Sequence, residues 1–487
     1  MKRIYTYLLV ATVFVSSCAK LEQTPDGINT AENIFLEQKD AEAAVNALYT
    51  SLTSHDLYNQ FSETMQSQGT DDCEWGKGRN TGNAGKLAID KFTFNPATDV
   101  IYRHWQIQYR VINRANVVIA NVPPMAINQT KKNQYVGEAY FLRGLMYFNL
   151  VRLFGEVPLT NKPTLTLDNL DVAKSSIDQI YQQIINDLKE ASTNLPTVYT
   201  GSDLGRATKG AAMTLLAKVY LTKKMYVEAA AEAKKVMDLN IYNLWPSYAE
   251  VFTIANKNRR ESIFEVQYTN TALSGSGYGS SYAGFFRPSA LVVKPPTGVL
   301  AGNGDNPVTL NHYQAYPAGD LRRNVNVIYI PTAPASVQFP YYVNKYQDPA
   351  ALTLEDGAND YFIARYADVL LMYAEALHET SIGSNDAYEA FNKVRRRAYG
   401  LPINTASSHD LTRGLSLEQF RDSILLERRL EFAFEGQRRF DLLRMGKLKE
   451  AINAQDPTIL IEDRHLLLPL PQDELIVNKA LVQNPGY

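Results

Sequence analysis

The sequence is poor in what exported proteins use for covalent bracing and in what enzymes use for chemistry. Only two cysteines, Cys18 and Cys73, occur in 487 residues, so no internal disulfide forms once either is otherwise engaged, and stability has to come from packing. The six histidines, at 55, 104, 312, 378, 409 and 465, are scattered and share no metal-ligand spacing. No His-Glu-x-x-His, Cys-x-x-Cys or phosphate-binding glycine loop is present. Gly279-Ser280-Ser281-Tyr282-Ala283 comes nearest to a nucleophile elbow, but it lacks the closing glycine and a strand-to-helix setting. A formal charge of −2 provides no basic field for a phosphate backbone, which excludes nucleic acid as the expected partner. No catalytic residue, cofactor or metal is therefore expected. Glycoside hydrolysis needs two carboxylates about 5 to 9.5 Å apart in a cleft, an arrangement in space rather than in sequence, so a surface hydrolase is the secondary reading.

Long apolar runs are also scarce, with one exception at the N-terminus. Lys2 and Arg3 precede a short, mostly apolar stretch from Ile4 to Val15, which Val15-Ser16-Ser17-Cys18 closes. This is the order of a secretory signal. The stretch falls short of the roughly 20 apolar residues that cross a bilayer. Small residues directly before a cysteine resemble a bacterial lipobox, so cleavage is expected after residue 17, with Cys18 becoming the lipidated first residue. Each buried CH₂ of an acyl chain contributes roughly 0.8 kcal/mol, so two or three chains anchor a protein stably. Residues 18–34, with Gln23-Thr24-Pro25-Asp26-Gly27, read as a tether.

What the chain has in quantity is helical periodicity and tyrosine. Ala41, Val45, Leu48 and Leu52 repeat at spacings of three and four, and helices are expected again over 102–122 and over 134–154, the latter ending at Gly155. A tetratricopeptide repeat of about 34 residues places small residues where two helices cross. Ala217, Tyr220, Tyr226, Ala229, Ala233 and Val236 follow those offsets. Gly144 and Tyr147 with Ile184, Leu188, Ala191 and Pro196 give a second copy, and Ala374 and Leu377 with Ala387, Phe391 and Val394 a third. The charge-dense run Glu427 to Asp441 reads as a helix whose acids and arginines pair with one another.

Two regions break the helical pattern. Residues 54–98 contain Trp75, Cys73 and the Gly/Asn-rich run from Gly76 to Asn83, and residues 262–360 are rich in Gly, Pro and Tyr. Within the second, Ile263 to Tyr268 alternates like a short strand. Asn303-Gly304-Asp305-Asn306 reads as a turn whose oxygens are also candidate cation ligands. Loops on a rigid scaffold commonly carry function.

Several long motifs in fixed order resemble the SusD/RagB family of nutrient-binding outer-membrane lipoproteins. They are Ile112-Asn113-Arg114-Ala115-Asn116, the stretch from Gly137 through Arg143-Gly144 and Phe148 to Gly155-Glu156-Val157-Pro158, and Gly205-Arg206-Ala207-Thr208. Arg365-Tyr366-Ala367-Asp368, Glu435-Gly436-Gln437-Arg438-Arg439-Phe440 and the closing Gln483-Asn484-Pro485-Gly486-Tyr487 complete the set. The resemblance implies an all-α fold: a tetratricopeptide-like scaffold of helix pairs, with long irregular loops and a few short strands forming the ligand-binding face. It implies a domain over 35–487, with helices at about 37–53, 100–240 and 361–446 and ligand-binding loops at about 54–98 and 262–360. It also implies a non-catalytic lipoprotein facing the cell exterior, which captures an oligo- or polysaccharide, or in some members a peptide, for a partner TonB-dependent outer-membrane barrel. A helical-repeat adaptor that binds only proteins is the remaining alternative.

Sugar rings present C–H faces that lie well on flat aromatic side chains, while amides and charged groups hold the hydroxyls. Aromatic residues in the irregular segments are accordingly the expected platform. Trp75, with Arg79, Asn80 and Asn83 beside it, is expected to meet Tyr278, Tyr282 and Phe286. Tyr341 and Tyr342 are in reserve, and because adjacent strand residues point to opposite faces, only one of them can serve.

Overall fold

A computed structural model describes residues 34–75, 83–164, 166, 170–270, 279–287, 292–293, 300–330, 340–351 and 353–487. Cys18, the tether up to residue 33, Arg79, Asn80 and Tyr278 lie outside the described residues. The fold is all-α with a few short strands.

Helix α1 (Gln38–Leu52) buries Ala41, Val45, Leu48 and Leu52, the stripe read from their spacing. Two short helices follow, α2 (Phe61–Ser67) and α3 (Ala84–Lys91). They occupy a region expected to be loop, and α2 is buried along its whole length. A helix with no exposed face leaves no amphipathic stripe in the sequence, which is why periodicity missed it.

The long helices pack against their neighbours in sequence. Helix α4 (Asp99–Asn121) lies against α5 (Gln129–Phe154), α5 against α6 (Ile177–Asn194), and α7 (Lys209–Thr222) against α8 (Tyr226–Asp238). Helix α5 starts five residues before the expected position because Asn128 caps it, its side chain accepting from Lys131 N. Its first turn, Gln129-Thr130-Lys131-Lys132, carries no apolar signal. Gly144 stands where α5 and α6 cross, and a Cβ there would come within 3.3 Å of Leu188. That close approach is the reason for a small residue at this repeat position.

The chain then enters the irregular half. Strand β1 (Ser262–Val266) is followed by α9 (Tyr282–Phe286), α10 (Leu310–Ala315) and α11 (Arg322–Asn326). Helix α11 runs directly into β2 (Val327–Tyr329), which pairs antiparallel with β3 (Tyr341–Val343). Strand β4 (Tyr361–Arg365) returns to pair antiparallel with β1 and leads straight into α12 (Tyr366–Thr380). The last helical pair is α12 with α13 (Asn385–Ala398), where Ala374, Ala387, Phe391 and Val394 are all fully buried.

The charged run from Glu427 to Asp441 is not one helix. Helix α14 (Leu417–Glu431), started by a reciprocal Ser416/Gln419 cap, ends at Glu431, and α15 (Arg438–Arg444) begins seven residues later. Phe434 at φ 61° and Gly436 at φ 66° turn the chain between them. The side chains of this run pair mainly with distant segments. Glu431 receives Arg322, Arg365 and Arg397, Glu435 receives Arg365 and Lys345, and Asp71 and Asp72 receive Arg429 and Arg438. Arg428 with Asp441, at 2.8 Å, is a pair made inside it. These buried bridges lock the helical half to the irregular half.

Candidate functional site

The β2–β3 ladder places Tyr329 directly opposite Tyr341 and Ile328 opposite Tyr342. Alternation puts Tyr329 and Tyr341 on one face and sends Tyr342 into the core, where it is buried. The Tyr329 and Tyr341 rings stack with centroids 5.1 Å apart and planes 29° apart. Tyr313, carried by α10, stacks on Tyr341 at 4.4 Å, again at 29°, and lies 6.5 Å from Tyr329, so the three rings form a triangular cluster. Thr309 caps α10, its side chain accepting from His312 N.

This cluster is open to solvent at Tyr329. Tyr329 is 49% exposed, while Tyr313 and Tyr341 are half-buried. The guanidinium carbon of Arg323 lies 5.4 Å over the Tyr313 ring, and among the described residues its buried Nε has no hydrogen-bond partner. Burial, and then the neighbouring Tyr329 and Tyr313, push the Tyr341 phenol above its ordinary pKa, so it stays a neutral donor and acceptor. The arrangement offers flat apolar faces, phenolic hydroxyls and one cationic donor. That set suits a ligand with apolar ring faces edged by hydroxyls.

The segment from Asp71 to Trp75 supports the platform from below. Glu74 N donates to Pro307 O at 2.9 Å, Cys73 bridges Val308, and Val308 N donates to Tyr341 O at 3.0 Å. Cys73 is a buried free thiol whose pKa is pushed well up by burial.

The other expected platform residues are placed differently. Trp75 is 2% exposed, with Lys86 Nζ 4.7 Å over its ring. Lys86 pairs with Asp305 at 3.2 Å and also lies 5.9 Å from the Phe285 ring, so the Trp75 segment and α9 do meet, through a lysine. The side chain of Asn83 is engaged as the cap of α3, accepting from Lys86 N at 3.0 Å. Asp305 is thus a partner of Lys86, and Gly304 and Asn306, both at positive φ, form the turn around it.

Tyr282 and Phe286 are core residues, 1% and 5% exposed. Tyr282 stacks between Tyr346 and Tyr361, each at 5.1 Å, and its hydroxyl donates to Tyr58 O. With both faces covered by protein, Trp75, Tyr282 and Phe286 have none left for a ring to lie on. Tyr313 and Tyr329 were missed as candidates. The signals for them were Thr309 as a cap before Leu310-Asn311-His312-Tyr313, and the alternation of Val327, Ile328 and Tyr329.

A second concavity of about 560 Å³ opens on the helical side near Tyr226. Its prominent charges are already paired: Arg421 with Glu379 at 2.5 Å, and Arg444 with Glu375. No helix among the described residues is long and apolar enough to cross a membrane, and no cluster of three or more metal-ligating side chains occurs among them.

Stacked helix pairs carrying an irregular half with a tyrosine cluster at its surface define the architecture of the chain. Residues 329–487 match the family described as "SusD family", and residues 21–221 match "Starch-binding associating with outer membrane". The chain is 30% identical to SusD-like protein P2 of Formosa agariphila over the full length of both, and 26% identical to SusD-like protein P25 of the same organism over 99% of this chain and 98% of that one. Among solved structures it superposes on a laminarin-binding SusD-like protein with a TM-score of 0.81, at 30% identity, covering 93% of this chain and 100% of the other. Surface glycan-binding protein A from Bacteroides fluxus gives 0.78 at 25% identity, covering 93% and 100%. The chain belongs to the SusD/RagB family.

Proposed function

We propose that this protein is a non-catalytic glycan receptor, anchored through lipid on Cys18 at the outer face of the outer membrane, which binds an oligo- or polysaccharide and passes it to a TonB-dependent barrel. The observation that carries this reading is the Tyr313–Tyr341–Tyr329 cluster with its exposed ring at Tyr329. A β-glucan of the laminarin type is the ligand to try first, because a solved relative at 30% identity is named for binding laminarin. The family description, which places a starch-binding member beside the outer membrane, supports the location. The tether of residues 18–34 would let the receptor swing over its barrel while staying beside it.

Calorimetric titration of the full mature chain in detergent with laminarin tests the reading, with chromatography of the sugar afterwards. Saturable binding with the glycan recovered intact supports a receptor, whereas release of shorter sugars would make the protein a hydrolase. Mass spectrometry of the mature N-terminus tests the anchor, and an unmodified residue other than Cys18 would remove it. Copurification from native membranes tests the barrel partnership, and recovery of the receptor with no barrel would count against transfer.

A further inference from the structure

We propose that a buried hydrogen-bonded relay, Asp72–His312–Tyr316–Asn326, positions the tyrosine platform and thereby sets its affinity for glycan. The inference rests on the platform being the binding site. It concerns positioning residues only, since none of the four touches the open face of the stack.

The geometry starts at His312, a fully buried residue of α10 adjacent to Tyr313. Its Nδ1 lies 2.9 Å from Asp72 Oδ1, and its Nε2 lies 2.9 Å from the Tyr316 hydroxyl. That hydroxyl also accepts from Asn326 Nδ2 at 2.8 Å. The orientation of the Asn326 amide is fixed independently, because the same Nδ2 donates to Leu430 O at 3.1 Å, and a carbonyl accepts only from the nitrogen end.

The direction of the remaining protons follows from the acid end. Asp72, a carboxylate paired with Arg429, can only accept, so the neutral imidazole carries its proton on Nδ1 and points it at Asp72. Nε2 is then an acceptor, and the Tyr316 hydroxyl, which accepts from Asn326, gives its own proton to it. Arg429 Nε donates to the same Asp72 oxygen at 2.8 Å, so the relay ends on a charged anchor in α14. Burial lowers the His312 pKa and the Asp72 carboxylate opposes it. Arg429 beside Asp72, the Asp71–Arg438 pair and the Phe434 ring at 5.1 Å complete its surroundings.

Both ends of the relay sit next to platform residues. Asp72 O accepts from the N–H of Thr309, the cap of α10, at 3.0 Å, so Asp72 holds the helix bearing Tyr313 by backbone and by side chain. Asn326 is the last residue of α11, three before Tyr329, and its carbonyl accepts from Asn344 N at 2.8 Å just beyond β3. One chain of hydrogen bonds therefore joins the carriers of all three tyrosines. Stacked rings forfeit about a quarter to a half of their attraction when they separate by about 0.5–1 Å, so the spacing of α10 from the β2–β3 ladder is what the relay has to hold.

Tyr316→Phe is the test, because it removes one hydroxyl and both central hydrogen bonds while keeping the ring. The expected results are faster amide exchange over 310–316, 327–329 and 341–343, and laminarin affinity weakened about 3- to 10-fold, the range that one or two net hydrogen bonds carry. Leu188→Ala, chosen to destabilise α6 far from the platform, controls for general loss of stability and is expected to leave both readouts unchanged. Unchanged exchange in Tyr316→Phe overturns the relay. So does unchanged affinity in Tyr316→Phe when Tyr329→Ala still abolishes or weakens binding, and that result leaves the platform standing. Should Tyr329→Ala itself bind laminarin like the parent chain, the platform reading fails, and the relay falls with it as a determinant of affinity.

Discussion

Tyr329 and Tyr341 face each other across the β2–β3 ladder with their rings 5.1 Å apart, and only Tyr329 has a face well exposed to solvent. On the proposed reading Tyr329 is the ring a sugar meets first, while Tyr341 and Tyr313 pack beside it at 5.1 and 6.5 Å. Tyr329→Ala is expected to weaken laminarin binding by about tenfold or more, since an aromatic contact contributes about 0.5–1.5 kcal/mol beyond the area it buries. Melting temperature should change little, because a half-exposed ring leaves a small cavity. Calorimetry with differential scanning of the same preparation checks both, and an affinity equal to that of the parent chain would remove the stack from the site.

Trp75 behaves in the opposite sense. Its ring is enclosed, with Lys86 over it and Asp305 paired to that lysine, while Cys73 and Glu74 beside it are tied to Val308 and Pro307. Trp75→Ala opens a cavity and removes the surface that shelters a buried ammonium group. The expected cost is about 3–5 kcal/mol of unfolding free energy, as for other buried aromatic truncations. Urea denaturation measures it. A variant of parental stability that fails to bind laminarin would return Trp75 to the ligand face.

These two residues show where the sequence is informative and where it is silent. The helix pairs were readable because their signal is local: Gly144 against Leu188, and Ala374 with Ala387 and Phe391, recur at spacings that helix geometry dictates. The fate of an aromatic ring in an irregular segment is set by whatever distant chain covers it. Trp75 stands beside a glycine-rich run and looked exposed, yet Lys86 closes over it. Tyr282 and Phe286 looked like loop residues and became the middle of a stack reaching Tyr58, Tyr346 and Tyr361. Tyr341 was singled out, but its partners Tyr313 and Tyr329 come from other segments, and nothing in the linear order joins them. The break after Glu431 was hidden too, because Phe434 adopts a left-handed conformation that a non-glycine residue rarely announces.

Glu431 is the hub of the buried ionic lattice and is fully enclosed. Burial alone would raise its pKa, but Arg397, Arg365 and Arg322 outweigh that and hold the carboxyl well below its usual range. Glu431→Gln removes the charge and leaves three buried guanidinium groups facing an amide. Breaking one member of a buried pair typically costs about 3–5 kcal/mol, because the remaining charges stay desolvated. A loss of at least that size is expected in chemical denaturation at pH 7.5. A loss below about 1 kcal/mol would mean that Glu261, Glu435 and Glu427 suffice to neutralise the arginines.

Glu63 on α2 has the reverse environment. Burial raises its pKa from 4.5 to about 7, with Asp72 and Glu435 adding to the rise and Ser67 and Lys345 opposing it. Between those values the folded protein keeps a proton that the unfolded chain releases. The stabilising contribution is therefore complete below about pH 4.5 and is lost as the pH rises through 7. A shift of this size corresponds to about 3 kcal/mol. Glu63→Gln keeps the neutral shape and has no proton to lose, so it should match the parent chain at pH 4.5 and exceed its stability at pH 8 by up to about 3 kcal/mol. Urea denaturation at the two pH values measures the difference, and a gain that is the same at both would show that ionisation of Glu63 does not limit the fold.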